Sequence, residues 1–324
     1  MKAIVCEEFA PVENLKYIEV ADPVAAKGQV VVDIKACGVN FPDGLLVQGL
    51  YQMKPEFPFI PGNEVAGVIS EVGEGVRHLK VGMRVIALCM LGGYAQKVAC
   101  PATHVLPIPD EIPDEEAAAL VTAHATAHHA LKQRANIQPG ETLLVTGAAG
   151  GTGLAAVQIG KLMGAKVIAV CSTQEKLDVA KENGADILIN YTEVDLKTTI
   201  KEVTEGKGVD VVYECVGGDT FNACSRAMAW NGRLLVVGFA GGTIPQFPVN
   251  LALVKGFSVM GVFWGSFTQH QPKDFAANMH ELLGWYVQGK VKVVVDEVLP
   301  LEQAKDALNK VMNREVKGKM TLRP

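Results

Sequence analysis

The sequence predicts an α/β protein with two structured regions, an irregular β-barrel-like domain and a doubly wound parallel sheet. Three observations support this prediction. The chain has 324 residues, 49% of them hydrophobic and 20% charged, which is enough for about two domains with substantial cores. Short Val- and Ile-rich runs separated by Gly and Pro fill residues 1 to about 125. From Gln138 onward, strand and helix patterns alternate.

The charge balance and the cysteines limit the possible partners. A formal net charge of −5 gives no electrostatic argument for binding nucleic acid or an anionic membrane. No stretch approaches the roughly 20 apolar residues of a membrane span, and the N-terminal segment lacks the basic and apolar regions of a signal peptide. Seven scattered cysteines are typical of reduced thiols. We therefore expect a cytoplasmic protein that binds a small molecule.

The barrel-like region is predicted from strand candidates at residues 29–39, 64–72 and 83–88. The parallel sheet is predicted from LLVT (143–146), a Gly-rich turn, a helical apolar pattern and KVIAV (166–170), which together form a βαβ unit. This alternation continues through helices near 174–183, 194–205 and 219–229 and strands at 185–190, 209–217 and 233–240. A helix at about 273–288 follows, and the tail reads as strand, turn and helix. The pattern alone does not decide which domain this tail joins, and it is compatible with either.

The segment from Gly147 to Gly153 lies between a predicted strand and a predicted helix. Glycines there let the backbone approach a pyrophosphate, and the N-terminus of a helix favours its negative charge. Ala148 stands where the G-x-G-x-x-G fingerprint has its first glycine. The alternative is an ordinary tight turn between strand and helix. We expect a dinucleotide.

The end of the following strand favours NADPH over NADH. NAD sites usually place Asp or Glu there to bind the ribose 2′-hydroxyl, whereas this chain has Cys171, Ser172 and Thr173. Lys176 follows within a turn and Tyr191 ends the next strand, so Ser172, Lys176 and Tyr191 are predicted to bind a 2′-phosphate. The alternative is that Lys176 is a solvated helix residue and Tyr191 a strand-end aromatic.

A longer pattern carries a family resemblance: Gly140-Glu141-x-x-Leu144-x-x-x-Ala148-Ala149-Gly150-Gly151-x-Gly153-x-x-x-x-Gln158-x-x-Lys161. In every fixed position it resembles the signature of the quinone oxidoreductases (zeta-crystallin-like), the zinc-free branch of the medium-chain dehydrogenase/reductase (MDR) superfamily. The likeness covers nearly the whole chain. It implies a GroES-like β-barrel catalytic domain (1–125 and 265–324), a Rossmann doubly wound parallel-sheet domain that binds NADPH (126–264), and a homodimer.

The resemblance also implies that no metal is bound. The zinc enzymes of the superfamily carry Cys where Asn40 stands and His where Asn63 stands, and Asn is a poor zinc ligand. A closely spaced four-cysteine lobe is missing too. His124 and His128 have a spacing that chelates metals on some helices, but a polar helix face is the preferred interpretation.

Site residues follow from the same resemblance. Asn40, Asp43 and Tyr51 are expected in the catalytic cleft, with Asn40 and Tyr51 as donors to an oxyanion. The alternatives are a polar turn after a strand and a packed aromatic. The remaining cofactor-binding residues are expected to be Thr126, Ala149, Gly150, Gly151, Thr152, Gly153, Val216, Gly238, Phe239, Phe263 and Trp264. Phe263 and Trp264 are equally compatible with a core or an interface.

The predicted function is NADPH-dependent transfer of a hydride or electrons to a quinone without catalytic zinc. A metal-free pocket suits acceptors that are already electrophilic. One alternative is the reduction of activated C=C bonds in enals, enones or enoyl thioesters. A second alternative is a non-catalytic NADPH-binding or RNA-binding protein of the crystallin type, although the acidic chain lacks a basic stripe.

Overall fold

A computed structural model describes all 324 residues and divides the chain into two compact units. Unit 1 comprises Met1–Thr122 and Val293–Pro324, and unit 2 comprises Ala123–Lys292. The α/β prediction is confirmed. The chain returns to unit 1 at 293 rather than at the predicted 265, because the helix between these positions packs within unit 2. There Gln133 Nε2 donates to Asn278 Oδ1 at 2.8 Å.

Unit 1 is a β-structure completed by the C-terminal tail. Its strands are β1 (Lys2–Val5), β2 (Lys16–Glu19), β3 (Gln29–Val39), β4 (Glu64–Val72), β5 (Arg84–Leu88), β6 (Lys97–Pro101), β7 (Val105–Pro107), β14 (Val295–Pro300) and β15 (Lys319–Arg323). Seven of them form one sheet in which β14, β15, β3, β4, β5 and β7 follow in that order and β6 pairs with β3. β1 and β2 form a separate antiparallel pair.

The helices of unit 1 are α1 (Phe41–Val47), the first part of α2 (Asp114–His129) and α10 (Ala304–Met312). Alternating buried residues of β3 and β4, such as Val30, Val32 and Val65, fill the core with Leu308 of α10. The sequence pattern did not indicate the last strand, β15, and it indicated α2 only through the helical spacing of His124 and His128. β15 pairs antiparallel with the end of β3, with Met320 opposite Val39, and this pairing brings Lys319 to the end of β3.

Unit 2 contains a six-stranded parallel sheet: β8 (Thr142–Thr146), β9 (Lys166–Cys171), β10 (Ile187–Asn190), β11 (Val209–Glu214), β12 (Met228–Val236) and β13 (Ser258–Gly261). The strand order is β10-β9-β8-β11-β12-β13. The order reverses between β8 and β11, and ligands of such sheets bind at the carboxyl ends of the strands beside this switch point.

The helices of unit 2 are the remainder of α2, α3 (Gly151–Leu162), α4 (Gln174–Glu182), α5 (Leu196–Val203), α6 (Gly218–Ser225), α7 (Asn250–Lys255), α8 (Trp264–His270) and α9 (Pro272–Val287). One predicted helix, 219–229, ends earlier than expected, and the strand predicted at 233–240 begins earlier. Met228 already pairs with Val209 in the sheet, so the chain leaves α6 at Ser225. No helix is both long and apolar enough to cross a membrane.

Candidate active site

The glycine-rich loop of unit 2 lies at the switch point. Gly147 directly follows β8 and has φ +59°, a left-handed conformation that favours glycine. A Cβ on Gly153 would lie 2.2 Å from the carbonyl oxygen of Gly147, so only glycine lets α3 start this close to β8. These are two of the three roles that glycines have in dinucleotide-binding turns.

The N-terminus of α3 is suited to a phosphate. Gly150 is its N-cap, and no side chain caps the helix, so the first backbone N–H groups and the positive end of the helix dipole are left to a ligand. The Thr152 hydroxyl is already engaged, at 3.3 Å from the Ala123 oxygen and 2.5 Å from the Tyr213 hydroxyl. Ala149 is buried, and Gly150 and Gly151 are partly exposed on the loop.

Two buried side chains hold the loops at this edge of the sheet. Burial raises the pKa of the Cys171 thiol, although hydrogen bonds from the Ala149 and Ala148 N–H groups oppose the rise. Glu214, fully buried at the end of β11, accepts hydrogen bonds from Gly217 N (2.9 Å) and from the hydroxyls of two threonines, Thr146 and Thr220 (3.1 Å each). Burial raises the pKa of Glu214.

The end of β9 carries no carboxylate. Ser172 is half-buried, and the exposed Thr173 caps α4 by accepting a hydrogen bond from Lys176 N at 3.3 Å. Lys176 is half-buried in the first turn of α4. Tyr191 follows β10, and its N–H donates to the Cys171 oxygen at 3.1 Å, which fixes its backbone beside β9. The predicted 2′-phosphate residues therefore all lie at the same end of β9 and β10.

The remaining predicted cofactor residues differ in exposure. Val216, Gly238 and Phe239 are half-buried at the ends of β11 and β12. Thr126 is half-buried on α2.

Phe263 directly precedes α8, and Trp264 is the first residue of this helix. Only Phe263 is exposed to solvent. The Phe263 side chain is 56% exposed, whereas Trp264 is 6% exposed and packs edge-on against Phe275, with 5.9 Å between ring centroids. For Trp264 this is the core position that the sequence left as an alternative.

Unit 1 contains a cluster of four polar side chains, Asn40, Asn63, Glu64 and Lys319, which we call the amide–lysine cluster. Lys319 Nζ donates to Asn40 Oδ1 (2.6 Å), Glu64 Oε1 (2.9 Å) and the Val39 oxygen (3.0 Å). Asn40 Nδ2 donates to Glu64 Oε1 (2.7 Å) and Asn63 Oδ1 (3.2 Å). Both amide hydrogens of Asn40 are therefore committed within the protein.

Asp43 and Tyr51 have different surroundings. Asp43 Oδ2 accepts from Asn40 N and the Tyr94 hydroxyl, both at 2.9 Å, and so helps to cap α1. Burial raises the pKa of Asp43 to about 7. Tyr51 is half-buried, and burial followed by the charge of Asp43 raises the pKa of its phenol. Of the three predicted catalytic residues, Asn40 and Asp43 are joined by a hydrogen bond from the Asn40 backbone N–H to the Asp43 carboxylate.

The two residues that stand where the zinc enzymes of the superfamily carry Cys and His contact each other. Asn40 and Asn63 share a hydrogen bond and offer amide groups, which are poor zinc ligands. No group of three or more His, Cys, Asp or Glu residues is arranged to hold a metal ion. His128 Nε2 lies 2.8 Å from Glu281 Oε2, and burial lowers the pKa of this histidine.

Sequence reasoning missed Glu64, Lys319 and Glu214 as members of these sites. Glu64 follows Asn63 directly, so the position of Asn63 was a signal for it. Lys319 is 279 positions from Asn40, and no local pattern connects them. Glu214 lies inside the strand predicted at 209–217, where a carboxylate in an apolar run was the available signal.

Three comparisons relate the chain to known proteins. Residues 26–110 match the family model described as alcohol dehydrogenase GroES-like domain, and residues 151–284 match that of zinc-binding dehydrogenase. The chain is 39% identical over 328 residues to the quinone oxidoreductase-like protein 2 homolog of Nematostella vectensis, covering 99% of this chain and 88% of the relative.

It is 32% identical over 327 residues to human quinone oxidoreductase, covering 99% of this chain and 97% of the relative. Among solved structures, Escherichia coli quinone oxidoreductase complexed with NADPH is similar with a TM-score of 0.95 and 32% identity, over 100% of both chains. The likeness therefore runs through both units.

Proposed function

The chain belongs to the quinone oxidoreductase-like family of the MDR superfamily, and from this premise we propose that it is an NADPH-dependent reductase of quinones that needs no catalytic zinc. The observation that carries the proposal is the pair of sites described above. Unit 2 has a phosphate-binding loop followed by a strand end without a carboxylate. Unit 1 has amides where zinc enzymes have Cys and His.

The cofactor is proposed to be NADPH. The N-terminus of α3 and the loop 149–153 would bind its pyrophosphate, and Ser172, Lys176 and Tyr191 its 2′-phosphate. Thr126, Val216, Gly238, Phe239 and Phe263 would contact the remainder of the nucleotide. A solved relative in complex with NADPH supports this choice. Trp264 acts indirectly, because its buried ring packs on Phe275 and fixes the start of α8 next to Phe263 in the chain.

When bound, NADPH supplies a hydride, so that a quinone and one proton become a hydroquinone as NADP⁺ forms. The protein must align the acceptor, exclude water and stabilise the charge that develops on the acceptor oxygen. The Tyr51 hydroxyl is proposed as one donor to that oxygen. Asn40 and Asp43 act by holding the site together, and the proton comes from solvent.

A second substrate class uses the same chemistry. In an enone or enal, hydride addition to the C=C bond also places negative charge on a carbonyl oxygen, so the same donors would serve. A panel of quinones and enones with NADPH, read as kcat/KM from the absorbance of the reduced nicotinamide, separates the two. Higher efficiency with quinones supports the proposal, and far higher efficiency with enones replaces it by the C=C reductase.

The panel also tests the non-catalytic alternative. Tight NADPH binding without reduction of any acceptor would favour a nucleotide-binding protein of the crystallin type. We expect instead that turnover clearly exceeds the uncatalysed rate.

We further propose that the protein forms a homodimer through unit 2. Strand β13 is the outermost strand of the six-stranded sheet, so one of its hydrogen-bonding edges is unpaired. Large apolar side chains on unit 2 are strongly exposed, among them Trp230 (72%), Leu253 (83%) and Val254 (73%). A second copy would cover such surface. Sedimentation of the protein, and of a Leu253→Glu variant that should be monomeric, tests this.

A further inference from the structure

Asn63 is the outermost member of the amide–lysine cluster. Asn40, Glu64 and Lys319 are 8%, 0% and 5% exposed, whereas Asn63 is only half-buried. Its Oδ1 accepts from Asn40 Nδ2, and its Nδ2 donates to no group of the protein. The Asn63 amide is thus held in place through its oxygen, and its NH₂ group is available to a ligand.

The partners fix which way both amides face. Lys319 only donates, so the atom of Asn40 that it contacts must be Oδ1, and the Glu64 carboxylate that accepts must face Asn40 Nδ2. With Asn40 set in this way, a reversed Asn63 would place two NH₂ groups against each other. The Asn63 oxygen therefore faces inward and its Nδ2 outward.

We propose that Asn63 Nδ2 is the hydrogen-bond donor that stabilises the negative charge on the acceptor oxygen, with Lys319 and Asn40 as positioning residues behind it. The chain runs from the Lys319 ammonium through the Asn40 amide to the Asn63 amide. Each hydrogen bond polarises the next, so the outward N–H is a stronger donor than that of an isolated amide. This inference rests on the proposed function and names a donor within it.

The chemistry balances without a metal. As the acceptor gains a hydride at carbon, the electron pair of its π system moves to oxygen, and the resulting oxyanion accepts the hydrogen bond from Asn63. A solvent proton then completes the product. No proton leaves the amide. The cluster therefore replaces the electrophilic role that zinc has in the related enzymes by a fixed donor.

The first test compares two variants with one matched control. We expect Asn63→Ala to lower kcat by about 100-fold to 1000-fold, with a smaller change in KM and an unchanged NADPH Kd, because removing one oxyanion donor has effects of this size. The control is Asn309→Ala, which removes another half-buried, hydrogen-bonded amide of unit 1 and should leave kcat unchanged. Tyr51→Phe should have the smaller effect of the two donor variants.

The second test does not depend on turnover. Cyclohexenone labelled with ¹³C at the carbonyl is bound to the protein with NADP⁺, and its carbonyl stretch is recorded by difference infrared spectroscopy. The wild type should shift the stretch to lower frequency, and Asn63→Ala should abolish most of the shift. The double variant Lys319→Met/Glu64→Gln removes both buried charges together and should reduce the shift while Asn63 is still present.

Several results would overturn the inference: an unchanged kcat and an unchanged carbonyl shift in Asn63→Ala, or loss of the shift in Tyr51→Phe alone. A double variant with lower thermal stability but the wild-type shift would show that Lys319 is only structural. Should the wild type reduce no acceptor at all, the proposed function fails, while a carbonyl shift that depends on Asn63 would still support the donor.

Discussion

The proposed nucleotide-binding edge of unit 2 and the amide–lysine cluster of unit 1 are built from different chemical groups. The first consists of backbone: glycines, N–H groups and a helix terminus, with short side chains supporting it. The second consists of side chains, among them an ion pair between Lys319 and Glu64 that is almost fully buried, at 5% and 0% exposure. The edge of unit 2 depends on the space that glycines leave free of side chains. The amide–lysine cluster depends on each buried side chain keeping its hydrogen-bond partner.

This difference predicts how each site fails. A backbone site tolerates changes in its neighbours but not an added carbon at a glycine whose Cα lies against other backbone atoms, as at Gly153. A buried side-chain network loses stability as soon as one partner is removed, because the remaining charge is left unpaired in a medium of low dielectric constant.

Removing the buried cation should have the largest effect. Lys319→Met leaves the buried Glu64 carboxylate without its positive partner and the Asn40 oxygen without its donor, and we expect a loss of about 3–5 kcal/mol in the free energy of unfolding. Adding Glu64→Gln removes the unpaired charge and should recover much of this loss. Urea denaturation measures both variants. Equal loss in the single and the double variant would show that packing, and not charge pairing, dominates the cluster.

The pH dependence of stability should identify Asp43. Burial raises the pKa of this carboxyl to about 7, above the value of about 3.9 in an unfolded chain. The folded state therefore binds the extra proton between these values, and its stability falls as the pH rises from about 4 to about 7. Asp43→Asn removes this contribution.

Relative to the wild type, Asp43→Asn should thus gain about 2–3 kcal/mol in the free energy of unfolding between about pH 5 and about pH 8. Denaturation curves at both pH values give this difference. A variant whose stability runs parallel to that of the wild type across this range would contradict the assignment.

An added carbon at Gly153 should damage the nucleotide-binding edge. A Cβ there meets the Gly147 oxygen at 2.2 Å, so we expect Gly153→Ala to lower the free energy of unfolding by about 1–3 kcal/mol and to weaken NADPH binding. At Gly150 the nearest atom would be 3.5 Å from the Cβ. Gly150→Ala should therefore fold normally, and any loss of NADPH affinity in it reports direct contact with the ligand. Fluorescence titration and thermal melts separate the two effects.

The smallest effect concerns the choice of cofactor. Lys176→Ala should weaken binding of NADPH by about tenfold and leave NADH unaffected, as expected for one charged contact to a phosphate. The matched control is Glu175→Ala in the same helical turn, which should not weaken NADPH binding. Equal losses for both nucleotides in Lys176→Ala would place Lys176 away from the 2′-phosphate.

The same contrast explains which features were visible in the sequence. The loop from Gly147 to Gly153, the strand end at Cys171 and the βαβ alternation are local, and local spacing predicts them. The amide–lysine cluster joins Asn40 to Glu64 across 24 positions and to Lys319 across 279. Its last member lies on β15, a short strand that becomes recognisable only through its pairing with β3.

Burial in the structure also shows which predicted site residues are accessible to a ligand, which the spacing of residues in the sequence did not indicate. The pattern gave no reason to separate Phe263 from Trp264, yet one is open and the other is packed on Phe275. Likewise, the family resemblance implied that Asn40 is a donor, but its amide hydrogens are used by Glu64 and Asn63. Whether a polar side chain is available to a ligand depends on its partners in space, which one sequence does not show.

The most direct test of the account is the rate of NADPH oxidation with a quinone acceptor after exhaustive dialysis against a chelator, with metal content checked by elemental analysis. We predict that metal-free protein retains full turnover and that it uses NADPH more efficiently than NADH. Loss of turnover on chelation with recovery on adding Zn²⁺ would contradict it.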